Sequence, residues 1–256
     1  MRFAKGSFVV SRDRDIPLLR QVRNSKFVTQ KQLFQFMTLQ GIERSRNAFN
    51  WRLARLRESG NLTVCPEVQG ADSTVYQITR TGLSLLEHFR QFATALNSDT
   101  VHLPNGSQAM HALELNSIQL ALASNNLLAG WQSEVEIASF NLTSDKPFQK
   151  DYDAVVDVRL GTGKEARFAL EYERSLKAAS HYERIARALE GERAVSCILY
   201  LGANTELLVS LMRRFEGIHK ELIFACVDSF EHDLLEVDVF TGLEGPVMKF
   251  QELLRS

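Results

Sequence analysis

Three carboxylates stand out by their spacing. Asp153 sits in the run Tyr152-Asp153-Ala154-Val155-Val156-Asp157, and Glu171 and Glu173 flank a tyrosine in Ala169-Leu170-Glu171-Tyr172-Glu173. Both runs carry the β-branched and aromatic residues that suit strands. Side chains two apart along a strand share a face. Asp153, Val155 and Asp157 therefore point one way, and Glu171 points with Glu173, leaving Leu170 and Tyr172 on the opposite face. A hairpin through Gly161-Thr162-Gly163 brings Asp153 beside Glu171 in one register. Carboxylates that close repel unless they share a proton or a cation. Mg2+, or Mn2+ in its place, is a hard ion that takes carboxylate oxygens and keeps several waters. Such an ion activates water and neutralises charge on a phosphodiester under attack. The competing reading is plain acidic surface at strand ends, which an acidic domain also produces by chance.

These strands need a sheet and helices to hold them. Residues 98–110, with Pro104-Asn105-Gly106-Ser107, read as a linker. A helix is predicted from His111 to about Asn126, then strands at Trp131–Ile137, Tyr152–Leu160 and Arg167–Glu173. A helix over Ser175–Leu189, a strand at Val195–Leu201, a helix at Thr205–Phe215 and a last strand at Glu221–Val227 complete the pattern. The order α-β-β-β-α-β-α-β predicts an α/β domain over residues 111–256, with helices covering a mixed sheet. Glu114 and Glu134 are further oxygen donors, though an exposed helix or strand position accounts for each.

The net charge of −1 conceals a division within the chain. Residues 1–97 carry 15 Lys and Arg against 7 Asp and Glu, a balance of +8, and the remainder carries 15 against 24, a balance of −9. A basic part joined to an acidic part predicts two domains with different partners, the first suited to a polyanion. Asp15-Ile16-Pro17 starts a helix, with Asp15 as its N-cap and Pro17 in the first turn. Thr29 caps a second helix. Ser45 opens a third, closed by Gly60 at the position glycine prefers beyond a helix end. Phe49, Leu53 and Leu56 of this third helix recur at core spacing. Arg46, Asn50, Arg52, Arg55 and Arg57 occupy much of its remaining surface and are the candidate DNA-binding residues. Two short strands follow at Asn61–Cys65 and Thr74–Ile78, then a helix after Thr79-Arg80-Thr81-Gly82. Three helices, a β-hairpin and a closing helix form the winged-helix arrangement over residues 1–97. Its third helix is expected to enter a DNA major groove, with Arg46, Asn50 and Arg57 nearest to bases and phosphates.

Other classes find little support. No apolar run reaches the roughly 18 residues of a membrane span, and the N-terminus has no secretory pattern. Cys65, Cys197 and Cys226 are odd in number and lack zinc spacing, as expected of a cytoplasmic chain. Gly161-x-Gly163 is a hairpin turn, so no nucleotide cofactor is expected.

Several segments resemble known families. Asn47–Leu62 with Thr74–Leu86 is similar to the recognition helix, wing and exit helix of bacterial winged-helix regulators. Tyr152-Asp153-Ala154 and Glu171-Tyr172-Glu173 resemble the paired motifs of the PD-(D/E)xK nuclease superfamily, whose core is αβββαβ. That resemblance implies Asp153 and Glu171 as metal ligands and Glu173 as a third ligand or a water-orienting base. Glu173 stands where lysine is usual, which makes Lys177, from the following helix, the implied substitute, with Arg174 the weaker alternative. His181, four residues from Lys177, faces the same side of that helix. The chain resembles most the replication-relaxation family of plasmids and integrative elements. The carrying residues are His111-Ala112-Leu113-Glu114-Leu115-Asn116, Trp131-x-x-Glu134, Tyr152-Asp153-Ala154, Phe168–Ser175 and Tyr182-x-Arg184-Ile185. The family implies a winged helix joined to a nuclease-like domain that acts on element DNA. Double-stranded DNA is the expected partner and a homodimer the expected assembly. A non-catalytic regulator, whose nuclease-like domain serves dimerisation or shape recognition, is the alternative.

Overall fold

A computed structural model describes residues 9–65, 68–94, 106–161 and 163–255. The chain divides into two compact units, residues 1–116 and 117–256. Among the described residues no helix is long and apolar enough to cross a membrane.

The first unit opens with α1 (Asp15–Ser25), a short strand β1 (Val28–Thr29), α2 (Gln30–Leu39) and α3 (Arg46–Glu58). Strands β2 (Leu62–Cys65) and β3 (Val75–Ile78) and helix α4 (Arg80–His88) follow. The strands form one antiparallel sheet in the order β1-β3-β2. Local chemistry sets these limits. Thr29 caps α2 in a reciprocal box with Gln32, Ser45 accepts the Ala48 N–H at the start of α3, and Thr79 accepts the Gly82 N–H at the start of α4. Such caps satisfy amide groups that a helix leaves open. Gly82 is required for another reason: a Cβ there would run into the Asn61 carbonyl oxygen.

Asp15 departs from the expected role. Arg14 holds the cap position and Asp15 is the first residue of α1. Its carboxylate is completely buried and accepts from Arg52 Nη1 at 2.8 Å, Arg55 Nη2 at 2.5 Å and the Ser11 N–H at 2.8 Å. Arg52 Nε also donates to buried Glu43 at 2.5 Å. Arg52, expected on the DNA-facing surface, therefore lies inside the unit, because two buried carboxylates on other segments claim its guanidinium.

The helix expected from His111 is α5 (Gly106–Ser124), and the boundary between the units falls within it. Residues 98–105 of the expected linker lie outside the described residues. Gly106–Met110 are helical because Ala109, Ala112 and Leu113 pack with Phe27, Cys65 and Val75 in the first unit. Gln32 Nε2 donates to the Leu113 carbonyl at 2.7 Å and Asn116 Nδ2 to that of Phe27 at 2.8 Å.

In the second unit β4 (Leu128–Ser133), α6 (Glu134–Thr143), β5 (Ala154–Arg159) and β6 (Glu165–Glu173) lead to α7 (Ala179–Gly191) and β7 (Cys197–Gly202). Helix α8 (Thr205–Arg214), β8 (Glu221–Cys226), α9 (Val227–Asp233), β9 (Asp238–Phe240), β10 (Val247–Lys249) and α10 (Phe250–Leu253) complete it. The seven strands lie in the order β10-β9-β8-β7-β6-β5-β4. Pairs β6·β7 and β7·β8 are parallel and the others antiparallel, so the expected mixed sheet is present. Helices α7 and α8 cover one face over Val155, Ala169, Ile198, Tyr200 and Phe224. Two differences from the sequence reading stand out. Glu134–Ile137 turn helical instead of extending β4, because Glu136 accepts from both the Ser133 N–H and hydroxyl. The sheet also continues past β8 with β9 and β10, strands of three residues that show no alternation to read.

The buried ion cluster makes a stability prediction. Asp15→Ala leaves Arg52 with half its partners, and breaking a buried pair costs about 3–5 kcal/mol. Urea unfolding should register that loss. A change below about 0.5 kcal/mol, typical of an ordinary surface site, would contradict it.

Candidate functional site

The β5–β6 hairpin pairs Ala154 with Leu170 and Val155 with Ala169. One step further places Asp153 opposite Glu171, the register that the sequence allowed. On the other side Glu171 pairs with Tyr200 and Glu173 with Gly202. Alternation therefore sends Asp153, Glu171 and Glu173 to the face covered by α7 and α8. Asp157 plays another part, since Arg167 across the hairpin binds it twice, at 2.7 and 3.0 Å.

Each carboxylate meets a donor. Asp153 Oδ2 accepts the Tyr172 N–H at 2.8 Å. Glu171 Oε2 binds Lys150 Nζ at 2.6 Å, while its Oε1 is buried with no hydrogen-bond partner among the described residues. Glu173 Oε1 binds Lys177 Nζ at 2.9 Å. Lys177 lies in the turn before α7, and its backbone N–H donates to the Tyr182 hydroxyl at 3.2 Å. It thus reaches Glu173 from a loop, where the sequence placed it on a helix. A further latch fixes the approach to β5. The buried Glu192 accepts the Gln149 N–H at 2.9 Å, the Tyr152 hydroxyl at 3.0 Å and the Ala194 N–H at 2.6 Å. Two of those donors flank Lys150 and precede Asp153, so Glu192 sets the segment that delivers both.

Electrostatics follow from this packing. Burial pushes the Glu171 carboxyl up to about 7; Lys150 pulls it down, and the neighbouring Asp153 and Glu173 charges add to the rise. Burial would lower the Lys177 ammonium, but its bond to Glu173 and the charges of Glu173, Glu171 and Asp153 outweigh that and raise it. His181 is lowered by burial and by Lys177 and Arg184. Its Nδ1 accepts from Arg184 Nη2 at 3.1 Å. Carboxylates, Lys150, Lys177, His181 and Arg184 thus act on one another across one small region.

Among the described residues no group of three or more His, Cys, Asp and Glu side chains is placed to hold a metal ion. Of the expected ligand trio, Glu173 faces Lys177 and Glu171 gives one of its oxygens to Lys150. Two carboxylates remain that suit a hard cation, and the unmatched Glu171 Oε1 is an oxygen donor with nothing to bind. Glu134 stands in the first turn of α6, and Glu114 lies on α5 in the first unit. Lys150 was missed by sequence reasoning. Its only signal is its place three residues before Asp153, in a segment with no regular periodicity.

On α3, Arg46, Asn50 and Arg57 are exposed, and Arg52 is the buried exception. Arg46 lies 4.7 Å over the Phe34 ring, and Asn50 Oδ1 accepts from Gln30 Nε2 at 2.9 Å. Arg55, expected to be a DNA contact, is tied to Asp15 and donates to the Val9 carbonyl at 3.1 Å. It also lies 5.1 Å from the ring of Trp51, which is 64% exposed.

The Glu171 environment sets a pH dependence. The folded chain holds this proton up to about 7, whereas the free group releases it near 4.5. Stability contributed by the protonated form is therefore present below 4.5 and lost as pH rises through 7. Without divalent ions, Glu171→Gln should remove that part of the slope, and melting curves across this interval should converge or cross in favour of the variant. Parallel curves would contradict the assignment.

A family model described as replication-relaxation matches residues 19–195. No curated protein matches the chain, and no solved structure does. The match begins inside α1 and runs past the strands and turn that carry Asp153, Glu171, Glu173 and Lys177, covering more than half of the chain. Both units contribute to that one pattern, and the protein belongs to the replication-relaxation family.

Proposed function

We propose that this protein binds double-stranded DNA of a plasmid or mobile element through its first unit and hydrolyses phosphodiester bonds with its second. The observation that carries the hydrolytic part is the buried, unmatched Glu171 Oε1 beside Asp153, with Lys150 and Lys177 at the same centre. Burying that many charges is costly, and such costs concentrate where chemistry is done. The reading treats the second unit as nuclease-like and the first as a winged helix. Support for the latter comes from the order of α1 to α4 around the small sheet and from exposed Arg46, Asn50 and Arg57 on α3.

In this account Asp153 and Glu171 would hold Mg2+ or Mn2+. A bound divalent ion supplies activated water and neutralises phosphate charge. The other roles belong to the chain. Lys150 holds one Glu171 oxygen, leaving the second open. The Tyr172 N–H fixes Asp153 from the next strand. Glu173 holds Lys177 in place, and the Lys177 ammonium stabilises negative charge that develops on a phosphate. Arg184, oriented by the neutral His181 ring, extends the basic rim along α7 towards a phosphate backbone.

One observation favours a second reading, a regulator without catalysis. Glu171 and Glu173 already have lysine partners, and the described residues assemble no three-donor metal group.

The full chain separates the readings. Duplex binding should weaken steeply with salt as counterions are released. The combined change of Arg46 and Asn50 to Ala should cost about 1–3 kcal/mol per lost bidentate base contact. With Mg2+ or Mn2+, wild type should cut supercoiled or linear DNA. Asp153→Ala should abolish cutting while leaving affinity nearly intact, and Lys177→Ala should slow it by about 10²-fold or more. Binding without cutting under any ion would leave the regulator. No duplex binding even at low salt would remove both readings.

A further inference from the structure

Two buried polar atoms on one face of the second unit's sheet have no hydrogen-bond partner among the described residues. They are Glu171 Oε1 and the Tyr200 hydroxyl. Their residues are paired across β6 and β7, so both side chains leave the sheet on the same side. Glu171 is 4% exposed and Tyr200 is wholly buried. Neither can turn outward. Lys150 anchors the other Glu171 oxygen, and the Tyr200 ring packs on Phe215 at 5.0 Å and stacks on Phe224 at 5.7 Å. Burial first, and the nearby Glu171 charge second, hold the phenol well above its ordinary pKa, so it keeps its proton.

An unmatched buried hydroxyl is costly, and an unmatched carboxylate oxygen more so. Native interiors hold few of either. The two atoms need complementary things: the carboxylate oxygen needs a donor, and the phenol needs an acceptor. A single water molecule is both.

We propose that Tyr200 and Glu171 bind one buried water molecule at the base of the carboxylate site, which accepts from the Tyr200 hydroxyl and donates to Glu171 Oε1. A carboxylate oxygen offers two acceptor positions, so this water leaves room for a cation on the same oxygen. Tyr200 is then a positioning residue. It fixes one side of Glu171 through the water, while Lys150 fixes the other directly. The inference depends on neither a bound cation nor catalysis.

The sign of one substitution tests it. Thermal unfolding of the full chain well above pH 7 and without divalent ions, where Glu171 is ionised, compares wild type, Tyr200→Phe, Glu171→Met and the double variant. If the water is shared, Tyr200→Phe strands it and lowers Tm by on the order of 4 °C. In the Glu171→Met background the same change should cost less than half as much, because the partners are coupled. A phenol with no partner behaves in the opposite way: its removal leaves Tm unchanged or raises it, which would overturn the proposal. An equal drop in both backgrounds would also overturn it, since Tyr200 would then have a partner of its own. If Glu171→Met fails to fold, a high-resolution crystal structure of the wild type decides. Ordered water within hydrogen-bond reach of both atoms supports the proposal, and a dry gap or a direct contact between them overturns it.

Discussion

The second unit is organised around the burial of Glu171. A carboxylate in the middle of a sheet, beneath helices, is unfavourable unless its surroundings compensate. Here the compensation is built from several segments. Lys150 arrives from the loop before β5, in a stretch held by Glu192. Asp153 is pinned by a backbone N–H of β6. Lys177 comes from the turn after β6 and answers Glu173. The β5–β6 hairpin and the parallel crossover through α7 are the topological means of bringing these groups to one place.

A related device holds the first unit. Asp15 and Glu43 trap Arg52 inside, and Arg55 is tied to the same carboxylate. The cluster fastens α1 to α3 and fixes which side of α3 faces outward. Arg46, Asn50 and Arg57 remain exposed as a consequence. The basic balance of this part of the chain thus serves two purposes. Some arginines are structural counter-ions, and others are available to a polyanion.

Much of this was legible in the sequence. The limits of α2 and α3 follow from Thr29, Ser45 and Gly60, whose side chains or conformational freedom act locally. The pairing of Asp153 with Glu171 follows from period-two alternation and a glycine turn. What was hidden depended on contacts distant in sequence. Arg52 and Arg46 look alike in a helical pattern, and only the carboxylates of Asp15 and Glu43 distinguish them. Lys150 and Glu192 act through irregular segments, and Glu173 faces its lysine partner Lys177 because of a turn that helical spacing did not predict. The brief β9 and β10 lie below the length at which alternation is readable.

The central claim is that Asp153 and Glu171 together form a cation site, and calorimetric titration of Mn2+ into the full chain tests it most directly. The titration belongs well above pH 7, where Glu171 is ionised. The account predicts one ion per wild-type chain in the absence of DNA, with affinity weakened at least about tenfold by Asp153→Ala. No binding to wild type, or equal affinity in the variant, would contradict it.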